Sequence, residues 1–305
     1  GNAGQAQNGR ISFDADSWPD TDFSRSTIDL AEVMSGGVGR DAIPSIDSPQ
    51  FVLVSEYQSY EGIDPMEPVV GVELNGAFRA YPLRVMIWHE IVNDVLAGVP
   101  IAVTYCPLCN TSVVFDRRFD GRILDFGTTG NLRHSDLIMY DRQSESWWQQ
   151  YGGQGIVGRY AGDELTILAS RLESLAEFAE RAPQGQVLVP NNPRFRDYSA
   201  NPYVGYDRAA SPMLFRGKVP RGVSPMLRVI AIEDIAFALP LLQRDEALEH
   251  DGLSIRWSAG QRTALGHRQR RGEDVPHVIT FAFAFFAFHP DGVLYTERGA
   301  VRQQP

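Results

Sequence analysis

Cys106 and Cys109 are the only cysteines of the 305-residue chain, separated by two residues in TYCPLCNTSVVF, residues 104–115. A thiol pair at this spacing can cycle as a disulfide, clasp a soft metal ion, or staple a turn. The neighbours sort these chemistries. A c-type haem needs His directly after the second cysteine, and Asn110 stands there, which excludes haem. A thioredoxin-like pair opens a helix whose dipole lowers the thiol pKa. Here NTSVVFD follows, β-branched and aromatic, which favours a strand and weakens the redox reading. The pattern strand, C-P-x-C, a residue tolerant of positive φ, strand fits a metal knuckle best. Pro107 sets the turn, Asn110 tolerates the left-handed conformation, and backbone N–H groups are expected to point at the sulfurs.

Two thiolates leave such a site short of ligands. His89, in WHEIVND, is the first candidate to complete it. The spacing predicts a helix from Pro82 to about Val95 followed by a strand from Ile101 into Cys106. The strand covers roughly 17–20 Å, and the helix covers the same distance in about twelve residues. That geometry brings Cys106 alongside Met86 to His89. On this helix Glu90 and Asp94 share a face, while His89 and Asn93 flank the apolar stripe beside Trp88. A boundary histidine bonded to a carbonyl is the competing reading of His89. WHEIVND is not a zincin helix, since the second His of H-E-x-x-H falls on Asn93.

His289, directly after VITFAFAFFAF, sits at the mouth of an expected buried strand and is the next candidate ligand; His134 in NLRHSDL is a third. For these two an ordinary loop histidine is the simpler reading. Arg133, Asp136, Asp141 and Arg142 lie close together in a β-rich stretch with Trp147 and Trp148. Asp141 to Ser144 reads as a hairpin turn, whereas Asp136 either caps a turn or faces the cysteines across the sheet. Gly127 and Gly130 are not a phosphate loop, because no Lys and no helix follow. No nucleotide is expected, and no nucleophile elbow or kinase signature is present.

The elements that must position these residues are mostly strands. Residues 1–50, rich in Asp, Ser, Gly and Pro, read as an extended lead with one short helix near STIDLAEVMSGG. PVVGVELNGAFRAYPL is a hairpin about Asn75-Gly76. SVVFD, RILDFGTTG and DLIMYDRQSESWWQQ read as strands, and SRLESLAEFAER as a helix capped by Ser170. Residues 190–225 are irregular. Beyond them RVIAIEDIAFALPLL echoes VVGVELNGAFRAYPLR, with Ala80, Pro82 and Leu83 falling on Ala238, Pro240 and Leu241. This is the mark of a degenerate internal repeat whose second copy lacks cysteines.

Composition bounds the function. A net charge of −10 argues against nucleic acid as a partner, and the one basic cluster, His267 to Arg271, reads as a solvated loop. The longest apolar run has eleven residues, Val278 to Phe288, about half a bilayer span. The polar lead GNAGQAQNGR without an initial Met resembles a mature exported protein, so a periplasmic or extracellular setting is expected.

Several motifs in order carry a resemblance: AYPLRVMIWHEIVND, VTYCPLCNTSVVFDR, FGTTGNLRHSDLIMYDRQSESWWQQ and GRYAGDEL, with echoes in NPYVGYD and FAFHPDGVLY. Together they resemble an uncharacterised prokaryotic family, domain of unknown function 3179, over about residues 65–190. The resemblance carries no activity. It implies weight on His89, Cys106, Cys109, Asp136 and Asp141, which match the family pattern. Asn110 stands where the family has Gly, and both tolerate positive φ. His134 stands where the family has Asn, which counts against it as a ligand. His289 falls in a family-like FHP, which counts for it.

The sequence therefore points to an α+β protein, predominantly antiparallel β with a few helices. The main domain is placed at 51–190, and an irregular linker and smaller β-rich part at 191–305. The leading function is metal binding: copper or zinc held by Cys106, Cys109 and His89, with His289 or a carboxylate completing the set. Glu90, Asn93, Asp136, Asp141 and Trp88 are the candidates for supporting contacts. A small molecule or a metal donor is the expected kind of partner. Two other functions stay open: a thiol–disulfide oxidoreductase attacking through Cys106, and a non-catalytic module with a structural disulfide and a binding surface at Trp147-Trp148.

Overall fold

Hairpins and short helices recur in one order along the chain, and that order fixes the architecture. The computed structural model describes residues 11–257, 264–267 and 273–305. The first ten residues and residues 268–271 of the basic cluster lie outside these. The strands are mostly antiparallel and the helices short, as expected for an α+β chain dominated by β.

Strand Pro68–Leu74 turns at Asn75 and Gly76, both at positive φ, into Ala77–Pro82 and then helix Leu83–His89. Asn and Gly accept that backbone with little strain, which is why the hairpin forms here. Strand Arg171–Ser174 flanks the hairpin antiparallel, continues into helix Leu175–Arg181, and returns as Gln186–Val189, parallel to the hairpin's other side. Gln50–Leu53 closes this five-stranded sheet. Between helix and return lies an antiparallel meander of Ile91–Leu96, Val99–Cys106 and Thr111–Asp116.

The second half repeats the plan. Strands Arg228–Ile232 and Ile235–Ala238 lead into helix Leu239–Asp245. A meander follows, Ala247–His250, Leu253–Trp257 and Ala264–His267. Then Val278–Phe281, helix Ala282–Phe288 and the parallel return Val293–Thr296 complete it. The internal repeat is thus architectural. The sequence echo matches the two hairpin turns but slips by the helix. Pro82 precedes its helix, whereas Pro240 lies within the first turn of its own, because the second copy's strand is shorter.

Among the described residues the first half carries a further antiparallel sheet without a counterpart in the second, ordered Val33–Ser35, Phe126–Arg133, Asp136–Asp141, Trp147–Gln149, Gly155–Val157. Residues 11–50 dock on it: Phe13, Trp18 and Phe23 pack on Trp147.

Four expected elements are corrected. The helix predicted to reach Val95 stops at His89, where Glu90 takes φ 63, and Ile91–Leu96 is a strand. Helical periodicity and a two-sided buried strand read alike in IVNDVL. Ser174, not Ser170, caps its helix, accepting from the Glu177 amide, and RLES is strand. VITF is strand but AFAFFAF is helix. The apolar run is buried on every side, so it carries no periodicity to distinguish the two states. STIDLAEVMSGG holds only a single turn, Leu30–Glu32, capped by Asp29, before strand Val33–Ser35.

The proposed Trp147-Trp148 surface does not exist, since both side chains are fully buried. Neighbours on a strand face opposite ways, and each side is covered. Trp147 meets the lead, and Trp148 meets Phe119, Phe126 and Tyr160. Among the described residues no helix is long and apolar enough to cross a membrane.

Candidate metal centre

Two hairpin turns meet tip to tip. The first is Cys106 to Asn110, between the last two strands of the first meander, closed by the Asn110 amide bonding to Pro107 O and with Asn110 at φ 53. The knuckle turn thus forms with the left-handed residue where expected. Its closing amide goes to a carbonyl rather than to a sulfur. The second turn is His134-Ser135, both at positive φ, linking Phe126–Arg133 to Asp136–Asp141.

At the junction, Sγ of Cys106, Sγ of Cys109 and a carboxylate oxygen of Asp136 all lie within 4.8 Å of one another, and all three residues are buried. Both cysteines are free thiols. They share the Ser135 carbonyl as acceptor, at 3.6 Å from Cys106 and 3.4 Å from Cys109. Asp136 Oδ2 accepts from Gln149 Nε2 at 2.8 Å and from the Tyr151 amide at 2.7 Å. Its Oδ1, buried, has no hydrogen-bond partner.

Burial shapes the ionisation. It pushes the Cys109 thiol well up, reinforced by the Cys106 thiol and by the Asp136 charge. Burial likewise lifts the Asp136 carboxyl to about 7, against the hydrogen bonds that favour the anion. The Cys109 thiol and the Asp136 carboxyl thus crowd a buried spot, and both resist ionisation while no cation compensates them. The donor set, two sulfurs and one hard oxygen with an unbonded partner oxygen, can hold a metal ion.

Glu90 reaches the same neighbourhood. It lies opposite the end of the Cys106 strand, its backbone carbonyl accepting from the Tyr105 amide at 2.8 Å. Its side chain is buried, and burial, then the Asp136 charge, raises its carboxyl to about 8. Glu90 and Cys106 both line a cavity of about 570 Å³.

The histidines proposed as ligands lie elsewhere. His89 hydrogen-bonds Pro44 O through Nδ1 at 2.8 Å and Tyr198 Oη through Nε2 at 2.7 Å, with Phe195 stacked on its ring. Both nitrogens are occupied, and burial lowers its pKa. The predicted helix geometry that brought His89 to the cysteines fails because that helix ends at His89. His289 closes helix Ala282–Phe288, against Phe285 and Tyr151, and lines a separate cavity of about 810 Å³. The ring of His134 lies 3.4 Å from Glu32, while its carbonyl faces Cys109 at 3.9 Å.

The remaining candidates make contacts within the fold. Asn93 exchanges bonds with the Phe126 backbone and donates to Asp47. Asp141 closes the 141–146 turn through Ser144 and accepts from Trp148 Nε1. Trp88 stacks under Arg196. Gln149, Tyr151 and the Ser135 carbonyl were not legible as site groups, and only the run WWQQ after a strand hints that amides are buried there.

Comparison with known proteins returns no matching curated protein and no matching solved structure. A family model described as "protein of unknown function (DUF3179)" matches residues 40–270, which take in both turns, Glu90 and the second copy's meander. The chain belongs to the DUF3179 family.

Proposed function

We propose that the protein binds one zinc ion through Cys106, Cys109 and Asp136. The observation that carries this reading is the convergence of two thiols and a carboxylate within 4.8 Å in a buried spot. The fixed carboxylate partners, Gln149 and the Tyr151 amide, are neutral. Without a cation, ionising these groups is costly; with one, the mutual repulsion becomes binding energy.

The donor set favours zinc over copper. Cu(I) selects soft sulfur, whereas Zn(II) accepts thiolate and carboxylate oxygen together. Three protein ligands leave a tetrahedral ion one open position. The thiol–disulfide alternative fits less well. The pair precedes a strand rather than a helix, so no helix N-terminus is there to stabilise an attacking thiolate.

Metal content of untagged protein, counted beside free thiols, tests the proposal. One equivalent of zinc, lost in Cys106→Ser and Asp136→Asn and kept in His89→Ala, is expected. No metal after reconstitution, with both thiols oxidised, would replace the clasp with a disulfide chemistry.

A further inference from the structure

We propose that the cavity beside Cys106 is a substrate chamber in which Glu90 acts as the proton acceptor for hydrolysis of small, uncharged, largely apolar esters. This inference rests on the zinc reading above.

The chamber, of about 570 Å³, is walled by Val38, Leu132, Tyr203 and Leu214, with Cys106 at one side. That volume suits a small organic molecule. Among its described lining residues Glu90 is the only carboxylic acid, and none is Lys, Arg or His. Among these residues an anionic substrate finds no cationic side-chain partner, and the apolar walls disfavour strongly hydrated ones.

Glu90 sits where folding alone would not choose a glutamate. It is the residue that closes helix Leu83–His89 at φ 63, a conformation costly for any side chain with a Cβ. Its carboxyl group lies at the helix end whose dipole is negative, where an acid gains nothing. Its side chain is only 6% exposed.

The second copy supplies the control. Glu246 closes helix Leu239–Asp245 at φ 59, its amide bonding Leu242 O at 2.7 Å as that of Glu90 bonds Met86 O at 2.7 Å. Trp257 N bonds Glu246 O just as Tyr105 N bonds Glu90 O, both at 2.8 Å. Yet Glu246 is exposed, and that half of the chain has no cysteine. The backbone motif therefore does not require burial of the acid. Burial accompanies the cysteines.

A zinc ion held by Cys106, Cys109 and Asp136 would supply Lewis-acid polarisation of the ester carbonyl and of the attacking water. Glu90 takes one proton from that water, and its oxygen forms a bond to the carbonyl carbon. The bond from that carbon to the alkoxy oxygen then breaks, and Glu90 returns the proton to the leaving alcohol. Ester and water give acid and alcohol, with no oxidant or reductant.

The test uses zinc-loaded full-length protein and p-nitrophenyl esters of two- to eight-carbon acids. Turnover is expected in wild type and to fall by about 100-fold or more in Glu90→Gln at unchanged zinc content. Val38→Trp, at the partly exposed wall, should raise KM and leave zinc content unchanged. Zinc bound without hydrolysis of any ester overturns the chamber. Hydrolysis that persists in Glu90→Gln overturns its role as proton acceptor. Protein that takes up no zinc overturns the clasp instead, so the two failures are told apart.

Discussion

The Tyr151 amide donates to Oδ2 of Asp136 at 2.7 Å, while Oδ1 of the same buried carboxylate has no partner. One oxygen is held by the backbone and the other is left free beside two thiols. That asymmetry is what a ligand held in place by its surroundings requires.

Replacing Asp136 by Asn removes the hard donor and keeps the shape. Zinc affinity should fall at least tenfold, on the scale of lost ligand support, with little change in the melting temperature of metal-free protein. Competition with a chromophoric chelator would show it. An unchanged affinity would remove Asp136 from the site.

His89→Ala should separate scaffold from site. Its ring bridges Pro44 and Tyr198, so its loss should cost about 1–3 kcal/mol through buried groups left unpaired, while zinc stoichiometry holds. Chemical denaturation and metal analysis of one sample would check both. Loss of zinc with the fold intact would restore His89 as a ligand.

Stability of the metal-free protein should fall as pH rises from 5 to 9. The Asp136 and Glu90 carboxyls keep their protons to about 7 and about 8 when folded, against ordinary values of 3.8 and 4.5. Between those values the folded chain binds more protons than the unfolded one, so raising pH favours unfolding. Their contribution is full below about pH 4 and gone above about pH 8. Zinc, which takes the place of the Asp136 proton, should weaken the dependence. Thermal melts with and without chelator read it directly, and a flat metal-free profile would contradict the burial argument.

Glu90→Gly should stabilise the metal-free fold by about 1 kcal/mol, because glycine accepts positive φ without strain. A lower melting temperature would mean that the Glu90 side chain supports the fold instead.

Trp147→Ala should cost about 3–5 kcal/mol, the loss for a large aromatic core residue. Trp147 holds the lead to the sheet through Phe13, Trp18 and Phe23. Protease cleavage within residues 11–50 should accelerate in parallel.

Local chemistry was written plainly in the chain. Asn75-Gly76 set the hairpin, Pro107 and Asn110 set the cysteine turn, and the β-branched run after it set the strand, each through backbone preferences of one or two residues. The echo between the halves also survived as a repeated architecture. Where burial does not alternate along an element, as over Ile91–Asp94 and through most of AFAFFAF, period no longer distinguishes helix from strand.

The amino-acid sequence by itself determined the fold class, the cysteine turn and the set of polar residues available to it. Which of them meet was decided only in three dimensions. Ending a helix at Glu90 carried His89 away to Tyr198, and the Cys106–Asn110 turn came to face the His134-Ser135 turn, bringing Asp136 to the sulfurs. Strand register and turn-to-turn docking are long-range outcomes of packing, and the residues that meet through them are not neighbours in any local pattern.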